Sequence, residues 1–169
     1  MEKSIAIVYT SNTGHTARYA KMLGEIIGVD VYSLKKAMSL AKGTRIIYFG
    51  WLCAYTVKGY KKADKIFDIA AVAGVGLGKT GSQTDAVRTA SRVPNDVPVF
   101  TLCGGMEYSK LRGINKLMID MISKVLASKQ GRTDDENEML NLIKAGGDFV
   151  NEQNLTDIIK WFRQSRFHS

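Results

Sequence analysis

Cysteine, proline and histidine are scarce in this chain, and each shortage narrows what it can be. Two cysteines, Cys53 and Cys103, are too few for a disulfide framework, so a reducing cytoplasm is the expected location. The histidines are His15 and His168, the latter in the tail, so no catalytic acid or base is named and no metal site is expected. The two prolines, Pro94 and Pro98, stand together at the approach to one strand. The longest apolar runs, Ile46–Tyr55 and Ile69–Leu77, are strand-length, contain glycine and are too short to cross a bilayer. No cationic segment, apolar stretch and small-residue cleavage site follow one another at the N-terminus, so export is not expected. Internal repeats, low-complexity linkers and nucleic-acid motifs are missing, and no nucleic-acid partner is expected.

What remains is an ordinary soluble composition: 169 residues, 45% hydrophobic and 24% charged. That length is one domain, residues 1–169, able to bury roughly 70% of its unfolded surface. The net charge is +8 and the pI near 9.5. Its carriers, among them Lys35, Lys36, Lys58, Lys61, Lys62, Lys65, Lys110, Arg112 and Lys116, are spread along the chain. A solvated surface explains most of them; docking to anionic lipid or an acidic protein is the other use.

Ser4–Tyr9 is short, apolar and rich in β-branched residues, as a buried parallel strand should be. Thr16–Ile27 sets Ala20, Leu23 and Ile27 on one face and ends at Gly28, which predicts a helix. Strands follow at Val29–Tyr32, Arg45–Gly50, Ile69–Val75 and Val97–Cys103. Helices are predicted over Lys35–Lys42, Gly59–Phe67, Thr84–Arg92 and Leu155–Phe167. From Ile114 to Leu126 the apolar residues fall in steps of three and four, which predicts an amphipathic helix whose Met and Ile stripe packs into the core. Ser128–Asn137 reads as a loop. Strand–helix alternation implies an α/β fold, a five-stranded parallel sheet with right-handed crossovers and helices on both faces.

In such sheets ligands lie beyond the carboxyl ends of the strands. After the first strand stands Thr10-Ser11-Asn12-Thr13-Gly14-His15-Thr16, with four hydroxyls in seven positions and then a helix. Gly14 permits close approach or a positive φ. A helix N-terminus supplies free amides and its positive dipole end. Hydroxyls and amides together suit a terminal phosphate without Lys or Arg. One such residue would suffice to cap a helix; four ask for more.

This Ser-x-Thr-Gly-x-Thr pattern after an N-terminal strand resembles the phosphate signature of flavodoxins. The resemblance implies a flavodoxin-like three-layer sandwich, strand order 2-1-3-4-5, and bound FMN. It would place Ser11, Asn12, Thr13, Gly14, His15 (through its backbone) and Thr16 around the phosphate, with Thr10 at the strand end. The ring would lie against the loops after the third and fourth strands. The first offers Gly50, Trp51, Leu52 and Tyr55, with Trp51 or Tyr55 as the stacking face. A backbone carbonyl near Gly50–Leu52 is a candidate acceptor for the reduced ring. The second offers Gly76 and Leu77, without the aromatic that many flavodoxins have there. Ala73-Gly74-Val75-Gly76-Leu77-Gly78-Lys79-Thr80 also nearly satisfies a nucleotide P-loop, although no later strand ends in an Asp for magnesium.

The segment Cys103–Leu111 and the helix around Asn115–Ile119 are similar to menaquinone-dependent protoporphyrinogen oxidase, a flavodoxin-like enzyme. Two functions therefore stand open. One is an electron carrier between redox partner proteins. The other is an oxidoreductase acting on a bound substrate or a quinone, with peripheral membrane contact. A phosphate-dependent hydrolase or binder without flavin is a third.

Overall fold

The computed structural model describes residues 4–166, and its sheet follows the alternation read from the sequence. Strands β1 (Ile5–Thr10), β2 (Val31–Ser33), β3 (Arg45–Cys53), β5 (Asp68–Gly76) and β6 (Val99–Cys103) pair in parallel in the order β2-β1-β3-β5-β6. A short strand β4 (Thr56–Val57) is antiparallel to the end of β3. Counting the parallel strands alone, the order is the expected 2-1-3-4-5. The fold is α/β, with helices on both faces.

The period of two explains the layers. Ala6 and Val8 of β1 with Ile46 and Tyr48 of β3 point to one face, under α2 (Leu34–Ala37), α3 (Tyr60–Asp64) and α4 (Thr84–Ser91). Ile7, Ile47 and Phe49 point to the other, where Tyr19, Ala20 and Leu23 of α1 (His15–Ile27) meet Leu155 and, on α7 (Thr156–Arg166), Ile158 and Phe162. In β5 the register shifts after Ile69, so Val72 joins the first face while Ala71 and Ala73 join the second. Both faces are dry, which is why the strands read as continuous apolar runs.

Several boundaries differ from expectation. The second strand starts at Val31, because Val29 gives its amide to Gly24 at the end of α1. The third does not stop at Gly50 but runs to Cys53 and folds back as a hairpin. Of the closing helix, Phe167 lies outside the described residues, as does His168.

The larger difference is between β6 and α7. Ser128–Asn137 is not all loop: α6 (Asp134–Ala145) begins inside it. Thr133 accepts from the Glu136 amide and Glu136 returns a bond to the Thr133 amide, a capping box that the sequence Thr133-Asp134-Asp135-Glu136 spells out. With α5 (Gly113–Ser128) it forms a helical cap, closed at its base by β7 (Gly105–Met106) paired antiparallel with β8 (Gly147–Asp148). Leu111, Leu126, Leu140, Leu142 and Ile143 are the cap's own core. The helix predicted from Ile114 is present, but its stripe is split. Leu126 is buried, whereas Ile114, Leu117, Met121 and Val125 are 59–74% exposed.

Candidate functional site

A cavity of about 400 Å³ opens between the carboxyl ends of the strands and the cap. Its floor comes from the loop after β1, the β3–β4 hairpin and the segment after β5; its roof comes from α5 and α6. One end carries the hydroxyls and amides of the first loop; the rest is mainly apolar, with Gln83, Glu107 and Glu136 also on its wall.

At the polar end, Asn12, Thr13, His15 and Thr16 line the cavity. Gly14, at φ 100, and Ser11 do not line the cavity, and the Gly14 carbonyl accepts from the Arg18 amide. The Ser11 hydroxyl accepts from the Gly14 and Ala17 amides at 3.2 and 3.3 Å. It therefore does the capping, which leaves the first-turn amides of His15 and Thr16 without an intrahelical acceptor. Thr10 is turned away: its hydroxyl bonds the Tyr48 hydroxyl at 2.7 Å, under β3. Burial pushes that Tyr48 phenol up to about 12.

The His15 ring is buried against the base of the cap. Its Nδ1 lies 2.9 Å from Thr13 Oγ1. Its Nε2 has no hydrogen-bond partner and stands 3.9 Å from a Glu107 carboxylate oxygen. Burial lowers the His15 pKa, against the opposing pull of Glu107 and Asp148. Around it, Arg18 pairs with Asp148 at 2.5 Å and Lys110 pairs with Glu107, so both neighbouring cations are already matched. The hydrogen bond from Lys110 holds the Glu107 carboxyl below its ordinary value.

The hairpin supplies Trp51, Leu52, Cys53, Ala54 and Tyr55. Lys58 Nζ stands 5.7 Å from the Trp51 ring centroid, and Leu52 leans over Gly74 and Gly76 of β5. Ala54 and Tyr55 form the tip with φ 47 and 64, the left-handed region that hairpin tips usually fill with Asn and Gly. Both contribute to the cavity wall, so the strain sits at the site. Gly50 does not reach the cavity; it lies in the ladder between Thr10 and Gly74, with Val57 and Lys58 close above it.

Gly76 and Leu77 also line the cavity, and Leu77 packs on the cap core. The P-loop reading of this stretch fails. Thr80 Oγ1 accepts from the Cys103 amide, the Gly81 and Ser82 amides are spent on Thr101 and Lys79 carbonyls, and α4 starts only at Thr84. Lys79 and Thr80 therefore do not open a helix, as the P-loop pattern requires.

Sequence reasoning missed the roof: Leu111, Met118, Ile119, Ile122, Leu126 and Met139. The capping box at Thr133 was the available signal, since a second helix there gives α5 a partner. Cys53 belongs here too, its Sγ 3.6 Å from Met118 Sδ. Cys53 and Cys103 are free thiols, and burial pushes the Cys103 thiol up. Among the described residues no group of three or more potential metal ligands gathers, and no helix is long and apolar enough to cross a membrane.

No family model matches the chain, and no curated protein matches it. A solved structure described as "a putative flavoprotein from Bacteroides eggerthii DSM 20697" overlaps 75% of this chain and 99% of its own, at 15% identity and TM-score 0.40. An overlap of that size says nothing of what this chain binds. The arrangement itself suits an elongated ligand with an anionic end and a flat apolar body.

Proposed function

We propose that the cavity binds FMN and that the protein carries electrons. The observation that carries this reading is the joining of two unlike halves in one cavity: a hydroxyl- and amide-lined helix N-terminus, and an apolar slot walled by Trp51, Tyr55 and Leu77. The fit is tested on the first turn of α1: the His15 and Thr16 amides have no intrahelical acceptor, and the Thr13 hydroxyl, paired with His15 Nδ1, can turn its hydrogen to a bound anion. In this reading Thr13, His15 and Thr16 hold the phosphate, and Trp51 or Tyr55 covers one face of the ring. FMN, when bound, would supply the electron-transfer chemistry. The chain binds, orients and keeps water from the ring, with the cap's Met118, Ile119 and Ile122 over the other face.

The cap favours a second reading, an oxidoreductase with a bound apolar substrate or a quinone. The apolar roof that would shield the ring would equally cover a bound apolar substrate. The outer stripe of α5, Ile114, Leu117, Met121 and Val125, flanked by Lys116 and Lys124, fits an anionic lipid surface as the place where that substrate is met. Purified protein should be yellow, or become so with FMN, and titrate reversibly with a reductant. Protein that stays colourless after incubation with FMN overturns both readings. Steady turnover of a porphyrinogen with a quinone acceptor would select the second.

A further inference from the structure

His15 does more than fill space, and its hydrogen-bond bookkeeping shows what. In a neutral imidazole one ring nitrogen carries hydrogen and the other a lone pair. Without a ligand, the Thr13 hydroxyl can donate to Nδ1, which leaves the ring hydrogen on Nε2, aimed toward the Glu107 carboxylate 3.9 Å away though not hydrogen-bonded to it. A phosphate on the first turn of α1 changes this. Its oxygens accept, so the Thr13 hydroxyl hydrogen turns to the anion. Thr13 Oγ1 must then accept from His15, which moves the ring hydrogen to Nδ1. Nε2 is left as a bare lone pair, buried, with no donor in reach and the Glu107 carboxylate 3.9 Å away.

We propose that binding a dianionic phosphate makes His15 take up a proton from solvent, forming an imidazolium that links the phosphate loop, through Thr13, to Glu107 of the cap. The inference rests on the phosphate reading of the loop. The proton on Nε2 removes the orphaned lone pair and turns a repulsive contact into an ion pair. Asp148 on β8 favours the same charge. Arg18 on α1 and Lys110 beyond β7 oppose it, but each is held by its own carboxylate. Burial keeps His15 neutral before the ligand arrives. The consequence is electrostatic: an occupied phosphate end adds an ion pair between the loop and Glu107 at the base of the cap.

The test is calorimetry of FMN binding near pH 7.5 in buffers of different ionisation enthalpy, where the free phosphate is already dianionic. The wild type should take up a fraction of a proton per FMN. Its affinity should weaken as pH rises, by at most about tenfold per unit. Riboflavin, with the same ring and no phosphate, should take up none. His15→Gln keeps a side-chain amide but cannot ionise, and should bind FMN with no proton uptake and a flat pH profile. Glu107→Gln, at a half-buried position at the base of the cap, should fold normally and show a reduced uptake. Sulfate, whose charge is constant over this range, should raise the melting temperature more at pH 6 than at pH 8 in the wild type only. FMN binding without proton uptake, or with the same uptake in His15→Gln, overturns the relay and leaves the phosphate site standing. Failure of both FMN and sulfate to bind overturns the phosphate site and the relay together.

Discussion

The sheet body and the cap bury their apolar side chains differently. In the body, Ile7, Ile46, Ile47, Tyr48 and Phe49 are wholly enclosed between two helical layers. In the cap, one face of α5 meets α6 and the cavity, while the other leaves Ile114, Leu117, Met121 and Val125 in the open. The body is therefore sufficient to itself, and the cap is not. Under the second reading proposed above, that outer apolar face is where a lipid surface would be met. The cap meets the body through the Arg18–Asp148 pair, the Tyr19 hydroxyl on the Phe149 carbonyl, the Phe149 amide on the Gly104 carbonyl, the approach of His15 to Glu107, and the packing of Leu77 and Cys53 against its apolar side.

The sharpest way to break this contrast is a pair of truncations. Ile47→Ala opens a hole between two dry layers and should destabilise by about 2–5 kcal/mol in urea unfolding. Leu117→Ala, on the outer stripe, should change stability by less than about 0.5 kcal/mol. Comparable losses would mean that the stripe is packed after all. The base of the cap is next. Gly105 has φ 124, and a Cβ there would lie 2.3 Å from the Gly147 carbonyl oxygen. Gly105→Ala should strain the β7–β8 pair by about 1–3 kcal/mol. Hydrogen exchange should then quicken across residues 113–145 while β1, β3 and β5 stay protected.

The hairpin tip gives an effect of opposite sign. Ala54→Asn with Tyr55→Gly suits the left-handed backbone and should stabilise the protein by about 1–2 kcal/mol. It should also weaken flavin binding if Tyr55 walls the ring. The smallest effect is that of pH on the ligand-free protein. His15 titrates lower in the folded state than its ordinary 6.5, because burial disfavours the charge. The unfolded chain then binds more protons just below that value, so stability is complete above it and is lost as pH falls toward the folded value. His15→Gln should remove this slope.

Most of the body was legible because a buried parallel strand announces itself: Ser4–Tyr9 and Ile69–Val75 are nearly unbroken apolar runs. The crowding of hydroxyls drew attention to a loop of which Asn12, Thr13, His15 and Thr16 line the cavity, whereas Ser11 is used on the Gly14 and Ala17 amides. Thr10 misled because a hydroxyl at a strand end reads the same whether it faces the ligand or, as here, Tyr48. Gly50 misled because a strand can continue through glycine when a hairpin partner, here Thr56–Val57, covers it. The α5 stripe misled more deeply. Periodicity reveals that a helix has an apolar face but not whether this chain fills the space against it. Glu107 and Gln83 carried no local signal; only the topology brings them to the cavity.

The central claim is that the loop after β1 grips a phosphate, and affinity for FMN against riboflavin in the wild type and in Thr13→Val/Thr16→Val measures it directly. Each charge-assisted hydrogen bond lost is worth about 1.5–3 kcal/mol. The double variant should lose more than about tenfold in FMN affinity while riboflavin affinity is unchanged. An FMN affinity within tenfold of wild type would contradict it.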